Sequence, residues 1–434
     1  MTRAPVTDSH TLAFHRFDLP GNIRLAVLPT KKLKTVQVQV FFPGNLDETV
    51  TTRALVPMVL RRGTASQPDM QAIQKHLEHL YGASVVTDVN KIGEWEVSKF
   101  RLETVNDRFV PGDEQVFARA LQFLREFIFD PRLEENGLLR EEYVEQEKNN
   151  LGRMIESLVD QKDQYALERL IREMCADEPF RRYEYGDVAD LPGITAESLT
   201  ADWREWSRSF PCEIYVTGDL DVERTRALVE ETFAVERGGS YDLQSVPALR
   251  SAGEVRTFRE EMAVNQGKLC LGYRCGTNYA AGDLEATVLM NGVLGSFSHS
   301  KLFQNVREKA SLAYDAHSVF EKTKGLVFVV SGIAVENYEK ALDIIKKQVE
   351  ALCQGDISDD ELESTRESFD NHLQMLEDNL GSFMEVDFLW RLHGQEFDLE
   401  DYRKRLRAVT RDRIVAAAET LELDSVFFLT SSQS

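Results

Sequence analysis

The two halves of this chain run through the same order of strands and helices, and that internal repeat limits the available folds more than any other feature. In the first half, residues 22–28 and 35–42 alternate with period two, as strands with one buried face do. Residues 268–273 and 325–331 play that part in the second half. Residues 80–84 close a helical segment and lead into a strand, as do 312–316. Ala120 to Leu124 and Ala341 to Ile345 lie on amphipathic helices, each followed by a turn and a long acidic helical region, 133–163 and 358–380. Each half closes with a helix and a strand, at 198–206 then 213–217, and at 411–421 then 425–430. The offset between matched positions falls from 232 residues (Leu80 to Leu312) through 221 (Ala120 to Ala341) to 212 (Glu213 to Ser425), so the first half carries insertions.

Strands and helices come in blocks rather than in strict alternation. The expected fold class is therefore α+β, two tandem domains each built on a largely antiparallel sheet covered by helices. Arg237-Gly238-Gly239-Ser240 begins an aperiodic stretch through Pro247 to Gly253 that reads as a linker. This places an N-terminal domain at 1–236, a linker at 237–255 and a C-terminal domain at 256–434.

Charge and cysteine content narrow the function. With 51 Lys+Arg against 73 Asp+Glu in 434 residues, the net charge is −22, a poor match to a phosphate backbone or an anionic membrane. No run of about 18 apolar residues is present to span a bilayer, and Met1 to His15 has no apolar segment of the signal-peptide kind. The five cysteines are odd in number and sparse, with no C-x-x-C, which fits a reduced, cytoplasmic setting. Cys270 and Cys275, on or beside a strand, point to packing. Gly292 to Ser296 reads as a short turn after an apolar helix at 286–290.

One segment carries a family resemblance. Ser300-Lys-Leu-Phe-Gln-Asn-Val-Arg-Glu-Lys-Ala-Ser-Leu-Ala-Tyr314 resembles the second-domain signature of the pitrilysin/insulinase-like zinc peptidases, a tandem-duplicated family. Residues 121–131, Gly63-Thr64 and the closing strand of each half fall in the family's order. The resemblance covers essentially the whole chain and implies the fold seen in mitochondrial processing peptidase-like proteins.

In that family an H-x-x-E-H motif on a first-domain helix holds zinc, and a Glu on a later helix completes the site. Two imidazoles at helical spacing grip the metal, and the Glu between them acts as general base for a metal-bound water. Anchored on Gly63-Thr64, the first His position is Ala54, the Glu is Pro57 and the second His is Met58. None offers zinc an N or O donor or can take a proton, and Pro57 would disturb a helix interior. On the later helix Glu147-Lys148 matches the start of the pattern, but the ligand position is Met154.

His76-Leu77-Glu78-His79 falls one residue short of the inverted motif. Histidines three apart share a helix face, so a displaced metal pair is one reading. Two solvent-facing or partly packed histidines beside an Ile73, Leu77, Leu80 stripe is the other. The resemblance gives Arg307 and Tyr314 a substrate-facing role, stabilising negative charge that develops on a scissile carbonyl. Alternatively, Arg307 pairs with a carboxylate on its own helix and Tyr314 simply opens a strand.

Taken together, the resemblance implies a non-catalytic member that binds no cofactor itself. It would pair with a zinc-bearing paralogous subunit around a peptide substrate, or homodimerise when alone. A peptide-binding or assembly scaffold, and a peptidase with a displaced site at His76 and His79, are the alternatives.

Overall fold

The computed structural model describes residues 12–431; the reading of the extreme N-terminus, His10 included, falls largely outside them. The first half runs β1 (His15–Leu19), β2 (Ile23–Pro29), β3 (Thr35–Asn45), α1 (Val50–Leu60), α2 (Met70–His79), β4 (Ser84–Ile92), β5 (Trp95–Val105), α3 (Val116–Phe129), α4 (Glu141–Ser157), α5 (Lys162–Met174), α6 (Ala196–Ser209), β6 (Cys212–Gly218) and α7 (Val222–Thr232). The second runs β7 (Arg256–Met262), β8 (Gly267–Arg274), α8 (Leu284–Asn291), β9 (Ala313–Glu321), β10 (Leu326–Ile333), α9 (Tyr338–Cys353), α10 (Asp359–Asp378), α11 (Leu380–Leu392), α12 (Leu399–Arg407), α13 (Arg411–Ala418) and β11 (Glu422–Ser431).

Among the described residues the strands form a six-stranded sheet, β1-β2-β6-β3-β5-β4, and a five-stranded sheet, β7-β11-β8-β10-β9. Without β1, the first order repeats in the second, strand for strand. β2 and β6 pair in parallel, as do β7 and β11, and the other pairings are antiparallel. The α+β architecture expected from the sequence is therefore the one observed. No helix among the described residues is long and apolar enough to cross a membrane.

Each half packs its own helices on one face of its sheet. The other face is covered by a helix from the opposite half. α5 carries Ala166, Leu170, Ile171 and Met174 on one side, a helical stripe. That stripe lies on Cys270, Phe328, Val330, Phe427 and Leu429 of the second sheet. Gly272 allows the close approach, since a Cβ there would sit 2.5 Å from the Met174 sulfur. In return α11 sets Met384 and Phe388 against Ala26, Phe41, Val97 and Tyr215 of the first sheet. Phe41 and Phe388 stack with centroids 4.1 Å apart. The opposite side of α11, with Leu380, Phe383 and Trp390, enters the second half's own core, so this helix is apolar nearly all round.

Polar contacts fix both crossings. Asp387, 1% exposed, accepts from the Tyr215 hydroxyl (2.8 Å) and Arg16 (2.6 Å). Just past α5, Glu178 meets Arg274 (2.8 Å) and Lys324 (2.6 Å), and Lys324 also reaches back to Glu94. Burial would raise the Glu178 carboxyl, but hydrogen bonds and charge from Lys324 and Arg274 win and hold it below the usual carboxylate range.

Residues 234–255 form no helix or strand, yet they are tied down along their length. Arg237 donates to the carbonyls of Gly21, Ser207 and Phe210. The Tyr241 hydroxyl accepts from Asn45 N (2.9 Å), Trp95 Nε1 donates to Gln244 O (2.9 Å), and Ala252 N donates to Glu422 (2.7 Å).

Two local expectations change. The acidic stretch at 133–163 is not one helix. Gly137, left-handed at φ +77°, and Asn136, accepting from Leu138 N (3.1 Å), make a turn before α4. A 3₁₀ turn at Leu158–Asp160 then redirects the chain into α5. Gly292–Ser296 is a π-helical extension of α8 rather than a plain turn. Its glycines make room for neighbours: a Cβ on Gly295 would meet Ser318 N at 2.5 Å.

His393, following α11, lies among both halves. Its ring stacks on Tyr279 (3.9 Å) and meets Trp95 (5.1 Å) edge-on. Leu389 O can only accept, so Nδ1 carries the proton (2.6 Å), and Nε2 accepts from Thr323 Oγ1 (3.1 Å). Burial lowers this histidine from 6.5 to about 4. A buried neutral base leaves stability intact above its unfolded pKa and removes it as pH falls towards the folded one. Stability should therefore drop by roughly 3 kcal/mol from this group between pH 6.5 and 4. Chemical denaturation against pH should show a shallower slope in His393→Gln over that window; an unchanged slope would contradict the assignment.

The crossed helices should also couple the halves. Leu170→Ala empties a fully buried site and should cost about 2–5 kcal/mol. Far-UV circular dichroism and tryptophan fluorescence should still report one shared urea transition, whereas two separated transitions would show the halves to be independent.

Candidate functional site

α1 forms from a segment that is apolar nearly all round, with Val50, Leu55, Val56, Val59 and Leu60 buried. Its start is set by Asp47, whose carboxylate accepts from the Thr49 N–H (2.9 Å) and hydroxyl (2.8 Å). Arg53 anchors it to β5 through Glu96 (2.7 Å). Burial pushes the Glu96 carboxyl up to about 8 against the pull of Arg53.

The resemblance placed the metal on this helix. Ala54 is 1% exposed, Pro57 is buried, and Met58, one turn beyond Ala54, is half-buried. Pro57 does sit in the helix interior, and the helix continues past it to Leu60. α1 packs on α4, where Met154 is half-buried; both methionines lie against the first-half core. A methyl and two thioethers thus stand at the three positions that the resemblance assigns to ligands, and a pyrrolidine at that of the general base. Thioethers suit soft ions and fill irregular gaps, and they are poor partners for zinc.

Glu147 survives from the pattern but is held by other partners. Fully buried, it pairs with Arg62 at the end of α1 and accepts from Asn150 Nδ2 (3.1 Å). The Gly63-Thr64 pair has a structural task too. A Cβ on Gly63 would lie 2.6 Å from Pro68 O. The Thr64 hydroxyl and the Ser66 N–H donate to Glu126 at 2.5 and 2.6 Å.

His76 and His79 both lie on α2. His76 packs on Phe123 (4.8 Å), and burial lowers its pKa against the opposing charge of Glu126. His79 is exposed at the end of α2. Among the described residues no group of three or more His, Cys, Asp or Glu side chains is placed to hold a metal ion.

Arg307 and Tyr314 are brought together. Phe303–Lys309 is a π-helical turn, a rare form found often at functional sites. It ends at Ser311, whose φ of +49° is left-handed and costs a non-glycine residue roughly 1 kcal/mol. Ser311 N bonds to Arg307 O (3.1 Å) and Leu312 N to Val306 O (3.1 Å), which swings the chain into β9. The Arg307 guanidinium then lies 4.5 Å from the Phe303 ring centre and 6.0 Å from that of Tyr314. Its carboxylate partner is the adjacent Glu308 (3.5 Å), and Tyr314 is the second residue of β9, so both plain structural roles are filled. Tyr314 is nevertheless 81% exposed, unusual for so large a ring. These contacts all lie within the second half.

Sequence reading did not single out His393 or the Glu178 network. Each is a lone charged or polar residue in no motif, and only the meeting of distant elements gives it a partner.

Known proteins resemble this chain in sequence and in fold. A family profile described as "Peptidase M16 inactive domain" matches residues 193–369. The "Probable inactive metalloprotease YmfF" of Bacillus subtilis is 36% identical over 417 residues, 95% of this chain and 97% of that protein. The "Uncharacterized zinc protease YmxG" of the same organism is 23% identical over 83% of this chain and 88% of its own length. A conserved protein from Enterococcus faecalis V583 superposes with a TM-score of 0.88 at 32% identity, covering 97% of this chain and 99% of its own. A peptidase M16 inactive domain structure from Pseudomonas fluorescens superposes at 0.78 with 18% identity over 98% and 99%. At 36% identity over nearly its whole length to a probable inactive metalloprotease, this chain belongs to the peptidase M16 family, as a homologue of its inactive metalloproteases.

Proposed function

We propose that this chain is the non-catalytic subunit of a two-chain peptide-processing assembly. A paralogue with an intact H-x-x-E-H supplies the zinc, and this chain supplies Arg307, Tyr314 and part of the peptide-binding wall. The observation that carries the reading is the pairing of an exposed Tyr314 with Arg307 on a strained turn, in a chain whose own ligand positions are apolar. A cation and a phenol so placed can stabilise a developing oxyanion on a carbonyl held by another subunit. The outer strands β4 and β9 are each hydrogen-bonded on one side only, and an extended peptide can add to such an edge. The net charge of −22 favours basic over acidic peptides and disfavours nucleic acid and anionic membranes. The cysteine pattern fits a cytoplasmic protein. Self-association in the absence of the partner, and a scaffold that binds peptides without processing them, are the competing outcomes.

Co-expression with the zinc-bearing paralogue tests this. The purified pair should contain one zinc, carried by the partner, and should cleave peptides. Tyr314→Phe in this chain should lower kcat by about a hundredfold without loss of the complex. An unchanged kcat, or one tightly bound zinc on this chain alone, would overturn the proposal. Glu147 should behave as a structural carboxylate. Arg62→Met leaves it buried without its cation and should cost about 3–5 kcal/mol, against about 1–3 kcal/mol for Glu147→Gln. Equal losses in urea denaturation would count against that role.

A further inference from the structure

Where the two halves meet, beside the ends of β4 and β9, lies an open cleft of about 550 Å³. That volume is within the range of small-ligand sites. Ile92, Val319, Val386 and Leu389 give it apolar walls, and Val319 is 44% exposed.

Most of the charges around it are already matched. Lys99 lies between Glu385 (3.1 Å) and Asp88 (3.6 Å). Lys91 sits between Glu168 (3.3 Å) and the Arg182 carbonyl (3.0 Å). Glu321 accepts from the backbone of Lys324 (2.5 Å). Lys322 differs. Its carbonyl accepts from Tyr279 N (3.2 Å), which fixes the backbone. Its half-buried side chain lines the cleft and has no hydrogen bond or ion pair among the described residues. Burial draws its pKa below that of an ordinary lysine, with Glu321 opposing. Glu321 is the opposing charge that acts on it, yet the two form no ion pair, so a ligand anion can still take the direct contact.

We propose that this cleft binds the free C-terminal carboxylate of a short peptide at Lys322, with the last side chain against Val319, Val386 and Leu389. The peptide, rather than a plain acyl carboxylate, follows from the strands at the rim. Asn90 and Val319 belong to the outer strands β4 and β9, whose unpaired main-chain groups an extended backbone can use. The inference deepens the peptide-binding reading above and rests on it.

Calorimetric titration of the full chain with N-acetyl-Ala-Ala-Leu-Phe free acid, its C-terminal amide and decanoate tests it. The acid should bind, with the amide and decanoate on the order of tenfold weaker or more. Lys322→Met should weaken the acid to the level of the amide, and Lys322→Arg should recover most of the affinity. The site is overturned if acid and amide bind alike, if decanoate binds as tightly as the acid, if Lys322→Met leaves the acid unaffected, or if the acid does not bind. Loss of the site in this way leaves the Tyr314 result standing, and failure of the Tyr314 test leaves these affinities standing, so the two readings fail separately.

Discussion

A β-sheet of apolar strands has two faces to hide, and the helices of one half of this protein hide only one of them. The structure depends on how the second face is covered. α5 leaves the first half to lie on β8, β10 and β11, and α11 leaves the second to lie on β3 and β6. The two crossings occupy matching places in the repeat, each just after the acidic helix of its half. Their polar fittings, Glu178 with Arg274 and Lys324, and Asp387 with Tyr215 and Arg16, are buried charges with ready partners. Such groups add little to net stability compared with apolar replacements, but losing one partner is costly, so they favour a single arrangement.

That frame extends to the contact between α1 and α4. α1 and α4 do not need a metal to meet. Leu55, Val56, Val144 and Leu151 bury them in the first-half core, and the Arg62–Glu147 pair closes one end of the contact. Met58 and Met154 pack against the same core, a task to which thioethers adapt well. The turn that carries Arg307 has kept a conformation that packing alone would not favour: a π-helical stretch, a left-handed serine and a tyrosine facing solvent. Backbone strain of this kind clusters at functional sites.

Much of this could be read from the sequence. The repeat implied two halves of similar build, and the resemblance carried by residues 300–314 pointed to the family. What escaped was non-local. The stripe of Ala166, Leu170, Ile171 and Met174 announces an amphipathic helix without saying which sheet it covers. Gly272 looks like a weak point in a strand until Met174 is seen above it. The aperiodic stretch after Arg237 has the composition of a loose tether, but its hydrogen bonds run to both halves. Lys322 carries no motif, and its interest arises only from what surrounds it.

The placement of α11 also sets an order in time. The first sheet is complete once residue 218 has been made, yet Phe41 lacks the ring of Phe388, and Tyr215 the carboxylate of Asp387, until residues 380–392 leave the ribosome. At synthesis rates of roughly 5–20 residues per second, that apolar face stays wet for about 10–30 s. A nascent chain of this kind invites holding chaperones during its own translation. A truncated product ending in α10 would carry an aggregation-prone face, although it contained every strand of the first sheet.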